Sequence, residues 1–147
     1  MSYITNADIE LRVGTARLIQ LTDDAGGGSI NPSVVDEARL GAEGEVDSYL
    51  ARRYAVPIDL AAHVEAGPVI KSAALDLVEY RLHARRRDVP PGVTAKRDAA
   101  TAWLVRVSRG DTQLPSVLPI AANPATGITA AAIGESRLLS RDELSGL

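Results

Sequence analysis

The chain has 147 residues, 46% of them hydrophobic, and a formal net charge of −3, which suits one domain plus an extension. It contains no cysteine, so disulfides and thiolate-held metals or clusters are excluded, and the charge balance excludes a global electrostatic footprint for nucleic acid, leaving only local patches. Phe is absent and Trp occurs once; a core of Ala, Leu, Val and Ile suits closely packed helices better than a β-sandwich.

The opening residues, MSYITNADIELR, lack the basic start and apolar run of a signal peptide, and no apolar run approaches the roughly 20 residues of a membrane-spanning helix, so a soluble protein is expected. Thr5 followed by Asp8 forms a capping arrangement for a first short helix carrying Ile9, Leu11 and Val13, which stops at Gly14. Thr15 is the cap expected for a second short helix with Leu18, Ile19 and Leu21. Residues 22–32, TDDAGGGSINP, read as a loop, and Asn31-Pro32 as the cap and first position of the next helix. From Pro32 to about Arg53 the apolar positions Val35, Ala38, Ala42, Val46, Tyr49 and Leu50 recur at spacings of three and four. Arg39, Glu43, Glu45 and Asp47 are assigned to the outside of that helix. Pro57 makes Tyr54–Ile58 an extended connection, with a helical turn expected near 59–65. Gly67-Pro68 restarts a helix with Ile70, Ala73, Ala74, Leu77, Val78 and Leu82 on its apolar face, running to about Arg87. Pro90-Pro91-Gly92 breaks it. A last core helix is expected from about Thr94 to Arg109, packed by Ala99, Ala102, Trp103, Leu104 and Val107 and stopped by Gly110. The predicted fold is therefore all-α: a small helical bundle with two long core helices, short N-terminal helices and an extended C-terminal tail. The domain is residues 1–110, and residues 111–147 form a flexible arm with a patterned tip at 135–147.

Catalytic and metal motifs are not found. Gly26-Gly27-Gly28 is followed by no Gly-Lys-Ser/Thr, and Asp23-Asp24 lacks the ligand spacing of a calcium loop, so the segment reads as a solvated turn. His63 and His83 have no metal-type partner at helical spacing and read as surface or partly packed side chains. No cofactor and no enzymatic activity are expected. The strongest charge cluster, Arg81, Arg85, Arg86 and Arg87, lies at a helix C-terminus, where cations are favoured by the helix dipole; its functional alternative is an acidic partner or passing DNA.

Four stretches together resemble the small helical head–tail connector proteins (neck adaptors) of Mu-like phages. They are Asp8–Gly14 with Leu18–Asp23; Glu45–Ile58, whose Tyr49, Leu50, Arg53, Tyr54 and Pro57 make the most specific motif; Leu77–Arg86 with the Trp103-Leu104 helix; and Arg137–Leu147. Leu138 or Leu139 stands where the family has an aromatic, and Leu147 replaces a terminal aromatic. The resemblance implies a structural, non-enzymatic virion protein that forms a ring of its own copies at the portal vertex. It implies contacts with the portal protein and a downstream neck or tail-completion protein, location in the virion neck, and the host cytoplasm during assembly. The tip residues Arg137, Leu138, Leu139, Arg141, Asp142 and Leu144 are then the expected docking side chains. The alternative reading is a small helical nucleic-acid-binding regulator using the arginine cluster.

Overall fold

Local capping decides where the helices begin. Thr5 accepts from the Asp8 N–H at 3.2 Å while the Asp8 carboxylate accepts from the Thr5 N–H at 2.8 Å, a reciprocal box that opens α1 (Asn6–Val13). The Thr5 N–H bonds hold the Asp8 carboxyl below its ordinary range. Gly14, at φ 89°, ends α1 and also precedes α2 (Thr15–Thr22). Asn31 accepts from the Ser33 N–H at 3.1 Å and Pro32 occupies the first position of α3 (Pro32–Leu50). A 3₁₀ turn, Val64–Ala66, leads into α4 (Gly67–Arg85), and α5 (Pro91–Arg109) follows. The computed structural model describes residues 2–120, and among them every regular element is helical; the all-α class is the observed one.

Gly14, rather than Thr15, is the N-cap of α2, and the turn expected near 59–65 falls at Val64–Ala66; the long helices differ from the sequence expectation in three further places. The third helix stops at Leu50, with turns to Tyr54 rather than helix to Arg53. The fourth stops at Arg85. The fifth starts at Pro91, because proline's missing N–H is harmless at a first helical position. It is 19 residues long, as are α3 and α4, so the bundle has three long helices rather than two.

Cross-helix pairs fix their directions. Arg81 reaches Glu45 while Ala84 and Arg85 border the same groove as Val34 and Ala38, and Lys96 reaches Glu79 at 3.3 Å while Trp103 lines a groove with Val69, so α3, α4 and α5 run alternately up and down. One end of the bundle therefore gathers the start of α3, the end of α4 and the start of α5. The other gathers the end of α3, the start of α4 and the end of α5. The core between them is Val35, Ala42, Val46, Leu50, Ile70, Ala74, Leu77, Val78, Leu82, Leu104 and Val107, with Ile9, Leu18 and Leu21 from the short helices laid across α4. On α5 the packing side chains are Val93, Ala100, Leu104 and Val107, while Ala99 and Ala102, expected inside, are exposed. Alanine carries too little apolar area to force its own burial.

Candidate functional site

Beyond α5 the chain does not leave the bundle at Gly110. Gly110 turns in the left-handed conformation, φ 91°, which side-chain-bearing residues rarely adopt, so this position favours glycine. The chain then runs back over the end of α3. Leu114 is buried, and its N–H donates to the Tyr54 hydroxyl at 3.1 Å. Ser116 donates to the Glu65 carboxylate, and the Ile120 N–H donates to the Arg53 carbonyl at 2.7 Å. The segment 111–120, assigned to a flexible arm on sequence grounds, is thus fastened to the bundle. Three residues of the Tyr49–Pro57 motif make or border these fastenings. Tyr54 and Leu50 are buried and Arg53 supplies the carbonyl, while Tyr49 packs half-buried against the core. Pro57 is exposed and follows a cis Val56–Pro57 bond.

The N-terminal residues are held near the same end, through α3. Glu43, read as an outward-facing residue, is buried at 7% exposure. Its Oε1 accepts from the Tyr3 N–H at 2.7 Å, the Ile4 N–H at 3.0 Å and the Ser2 hydroxyl at 2.6 Å, and Arg39 lies 3.6 Å from its other oxygen. The Tyr3 hydroxyl donates to Asp47 and accepts from the Ile58 N–H at 2.9 Å. Burial first, then the bond to Asp47, pushes the Tyr3 hydroxyl's pKa well above its ordinary value. The missed signal was register: Glu43 stands three before Val46 and seven before Leu50, on the buried stripe of its helix.

At the opposite end the arginine cluster serves the protein itself. Arg85 donates to the Leu21 carbonyl at 3.2 Å and to Asp24 at 3.0 Å. Arg86 donates to the carbonyls of Leu21, at 3.3 Å, and Asp23, at 2.8 Å, and pairs with Asp24 at 2.9 Å. These two side chains therefore cap the carbonyl end of α2, a neighbouring helix, rather than the end of their own. Arg85 holds the Asp24 carboxyl below its ordinary range. Asp23 folds the glycine loop over itself by accepting from the N–H groups of Gly27, at 3.1 Å, and Gly28, at 2.7 Å, which depress its pKa as well. Arg81 pairs with Glu45 at 2.7 Å. Arg87, exposed at φ 57°, has no ion pair among the described residues. His83, expected at the surface or partly packed, is buried at 4% exposure, with Nδ1 3.1 Å from the Asp88 carbonyl. His63 is half-buried.

Two surface depressions accompany these features. A groove of about 490 Å³ between α3 and α4 is edged by charges, among them Glu37, Glu45, Arg81 and Arg97. A smaller one, about 260 Å³, lies between α4 and α5 and is lined mainly by apolar side chains around Trp103. Among the described residues no cluster of His, Asp and Glu is arranged to hold a metal ion, and no helix is long and apolar enough to cross a membrane. The tip residues Arg137, Leu138, Leu139, Arg141, Asp142 and Leu144 lie outside the described residues.

The described residues thus form a small all-α bundle whose N-terminal residues and segment 111–120 are both fastened to α3 and its C-terminal turn, through buried tyrosine and glutamate side chains. Residues 3–130 match the family model described as "Bacteriophage Mu, Gp36", and the chain belongs to that family of phage proteins. The matched span contains both fastenings and ends before the tip. Comparison with curated proteins gives no match.

Proposed function

We propose that this protein is a non-enzymatic head–tail connector: copies assemble into a ring on the portal vertex, and the ring joins the head to the downstream neck or tail-completion protein. The protein then resides in the virion neck and passes through the host cytoplasm during assembly. The observation that carries this reading is the fixed departure point of the C-terminal arm. The family motif and the exit of the arm are one structural unit, because Tyr54 and Arg53 hold Leu114 and Ile120. An arm that starts from a rigid point and ends in leucines flanked by charges suits docking on a neighbouring protein. A ring of identical copies meets itself through a head-to-tail interface that closes.

The alternative, a nucleic-acid-binding regulator, would use the arginine cluster. Arg81, Arg85 and Arg86 are each paired with a carboxylate of the same chain, and phosphate contacts would have to displace those pairs. Co-sedimentation with purified portal protein tests the connector. The full chain is expected to bind and the chain lacking residues 135–147 to remain folded but bind weakly. Equal binding by both, or binding by neither while duplex DNA is bound with a steep salt dependence, would contradict it.

A further inference from the structure

The groove between α4 and α5 is lined by Val69 and Ala73 on one wall and by Ala99, Ala100 and Trp103 on the other, and holds about 260 Å³. Its one carboxylate, Asp76, is already held by Arg12, so the opening offers apolar surface. Along its α5 edge Lys96, Ala99, Trp103 and Arg106 recur at spacings of three, four and three, which sets them on one side of the helix. Ala99 is exposed and Trp103 half-buried. Arg106 is exposed and has no ion pair among the described residues, while Lys96 shares Glu79 at 3.3 Å.

A second surface has the same spacing and the opposite character. On α3, Glu37, Leu40, Gly44 and Asp47 recur at three, four and three, turned away from the core stripe of Val35, Ala42, Val46 and Leu50. Leu40 is 61% exposed. Gly44 is exposed, with open space where a Cβ would stand. Glu37 is exposed without an ion pair among the described residues, and Asp47, partly exposed, accepts from the Tyr3 hydroxyl. Both helices are 19 residues long and begin with proline. Counted from that proline, Glu37 and Lys96 hold the same position, as do Leu40 and Ala99, Gly44 and Trp103, and Asp47 and Arg106. Each pair is complementary: acid with base, large with small, small with large, acid with base.

We propose that the groove seats α3 of a second copy. Leu40 enters between α4 and α5 beside Ala99, the open surface at Gly44 takes the Trp103 ring, and Glu37 and Asp47 meet Lys96 and Arg106. Within one copy α3 and α5 run in the same direction, so a rotation about an axis along the bundle brings the two faces together parallel and in register. The faces differ, so the contact is head-to-tail and passes from copy to copy. The inference deepens the ring of the proposed function and rests on that reading only for the closure of the series. Pairing of like faces is disfavoured, because it sets carboxylates against carboxylates or basic side chains against each other. Exposed ion pairs add little affinity; here they set register and partner choice, while Leu40 and Trp103 supply the apolar contact.

The chain contains no cysteine, so single cysteines report the contact without background. Leu40→Cys and Ala99→Cys replace exposed side chains and leave the core intact. Each variant is oxidised alone and in a one-to-one mixture, one of them carrying a size tag, with and without purified portal protein. Disulfide-linked mixed dimers are expected in the mixture, and no dimers from either variant alone. Glu37→Lys in the Leu40→Cys chain should lower the mixed yield about fivefold, as an exposed attraction becomes a repulsion, and Lys96→Glu in its partner should restore it. Equal dimer yields from either variant alone would overturn the proposal and assign a symmetric pairing. No mixed dimer in either condition would also overturn it. Portal binding by the wild type is measured separately. Its failure sinks the connector reading while a mixed dimer still stands, whereas portal binding without a mixed dimer keeps the connector and removes this interface.

Discussion

At the end of the bundle from which the arm departs, Tyr3 and Tyr54 use buried hydroxyls to hold backbone N–H groups of Ile58 and Leu114. At the arginine end, Arg85 and Arg86, each 35% exposed, hold the α2 terminus and its loop through Asp24, itself 47% exposed. The two ends make similar numbers of polar contacts by different physics. A buried donor without its acceptor keeps the full cost of desolvation, whereas an exposed ion pair exchanges its partner for water and salt at little cost. The departure end is therefore a fixed platform and the arginine end an adjustable clasp. The proposed connector role would need a rigid point from which to extend an arm, and the buried hydroxyls lie at the point where the described chain leaves the bundle.

Substitutions should separate the ends, beginning with the largest effect. Tyr54→Ala removes a side chain that is 1% exposed and should cost about 3–5 kcal/mol in urea denaturation. Tyr54→Phe keeps the ring but orphans the Leu114 N–H, for about 1–3 kcal/mol. Its amide exchange at Leu114 should speed up more than exchange in α4. A Tyr54→Phe protein as stable as wild type would show that the hydroxyl does not fasten the exit. Glu43→Ala comes next, because it strips the acceptor from two buried N–H groups. A loss on the order of 3 kcal/mol is expected, with early proteolysis near residue 5 as its local signature.

The third test is alkaline. The folded-state pKa of Tyr3 is raised above its ordinary value of 10.0, so above pH 10 the native state keeps a proton that the unfolded chain has released. Tyr3 therefore contributes stability that is fully present below pH 10 and falls as pH rises further. In Tyr3→Phe the decline of stability between pH 10 and 11 should be shallower than in wild type; parallel curves would remove Tyr3 from the account. The smallest effect is expected for Asp24→Asn. It should lower thermal stability slightly at low salt, and the difference should vanish in high salt as screening weakens the wild-type pairs. A large, salt-independent loss would erase the contrast between the two ends.

Much of the fold was legible because its signals are local. The Thr5–Asp8 box, the Asn31-Pro32 start and the Gly14 and Gly110 stops each depend on residues within a few positions. The apolar stripes of α3 and α4 were also correctly placed. Glu43 lies on the buried stripe of α3 by register, but the partners that make a buried carboxylate tolerable, the N–H groups of Tyr3 and Ile4, lie about 40 residues away and leave no side-chain pattern. The anchoring of residues 111–120 was missed for a related reason: Leu114 stands alone among Pro, Ser and Gln, and one apolar residue has no period. For the arginine cluster, sequence showed a helix end and so a dipole, while the tertiary structure brings a second helix end within reach. The motif Tyr49–Pro57 was legible only through resemblance, and its physical role as the arm's fastening appears once Leu114 and Ile120 are seen on it.

The most direct test of the connector is imaging of portal-bearing heads that lack their neck, mixed with the full chain or with the chain lacking residues 135–147. The account predicts added ring density at the portal vertex with the full chain, together with restored tail attachment, and neither with the truncated chain. Heads that accept tails and become infectious without any added density from this protein would contradict it.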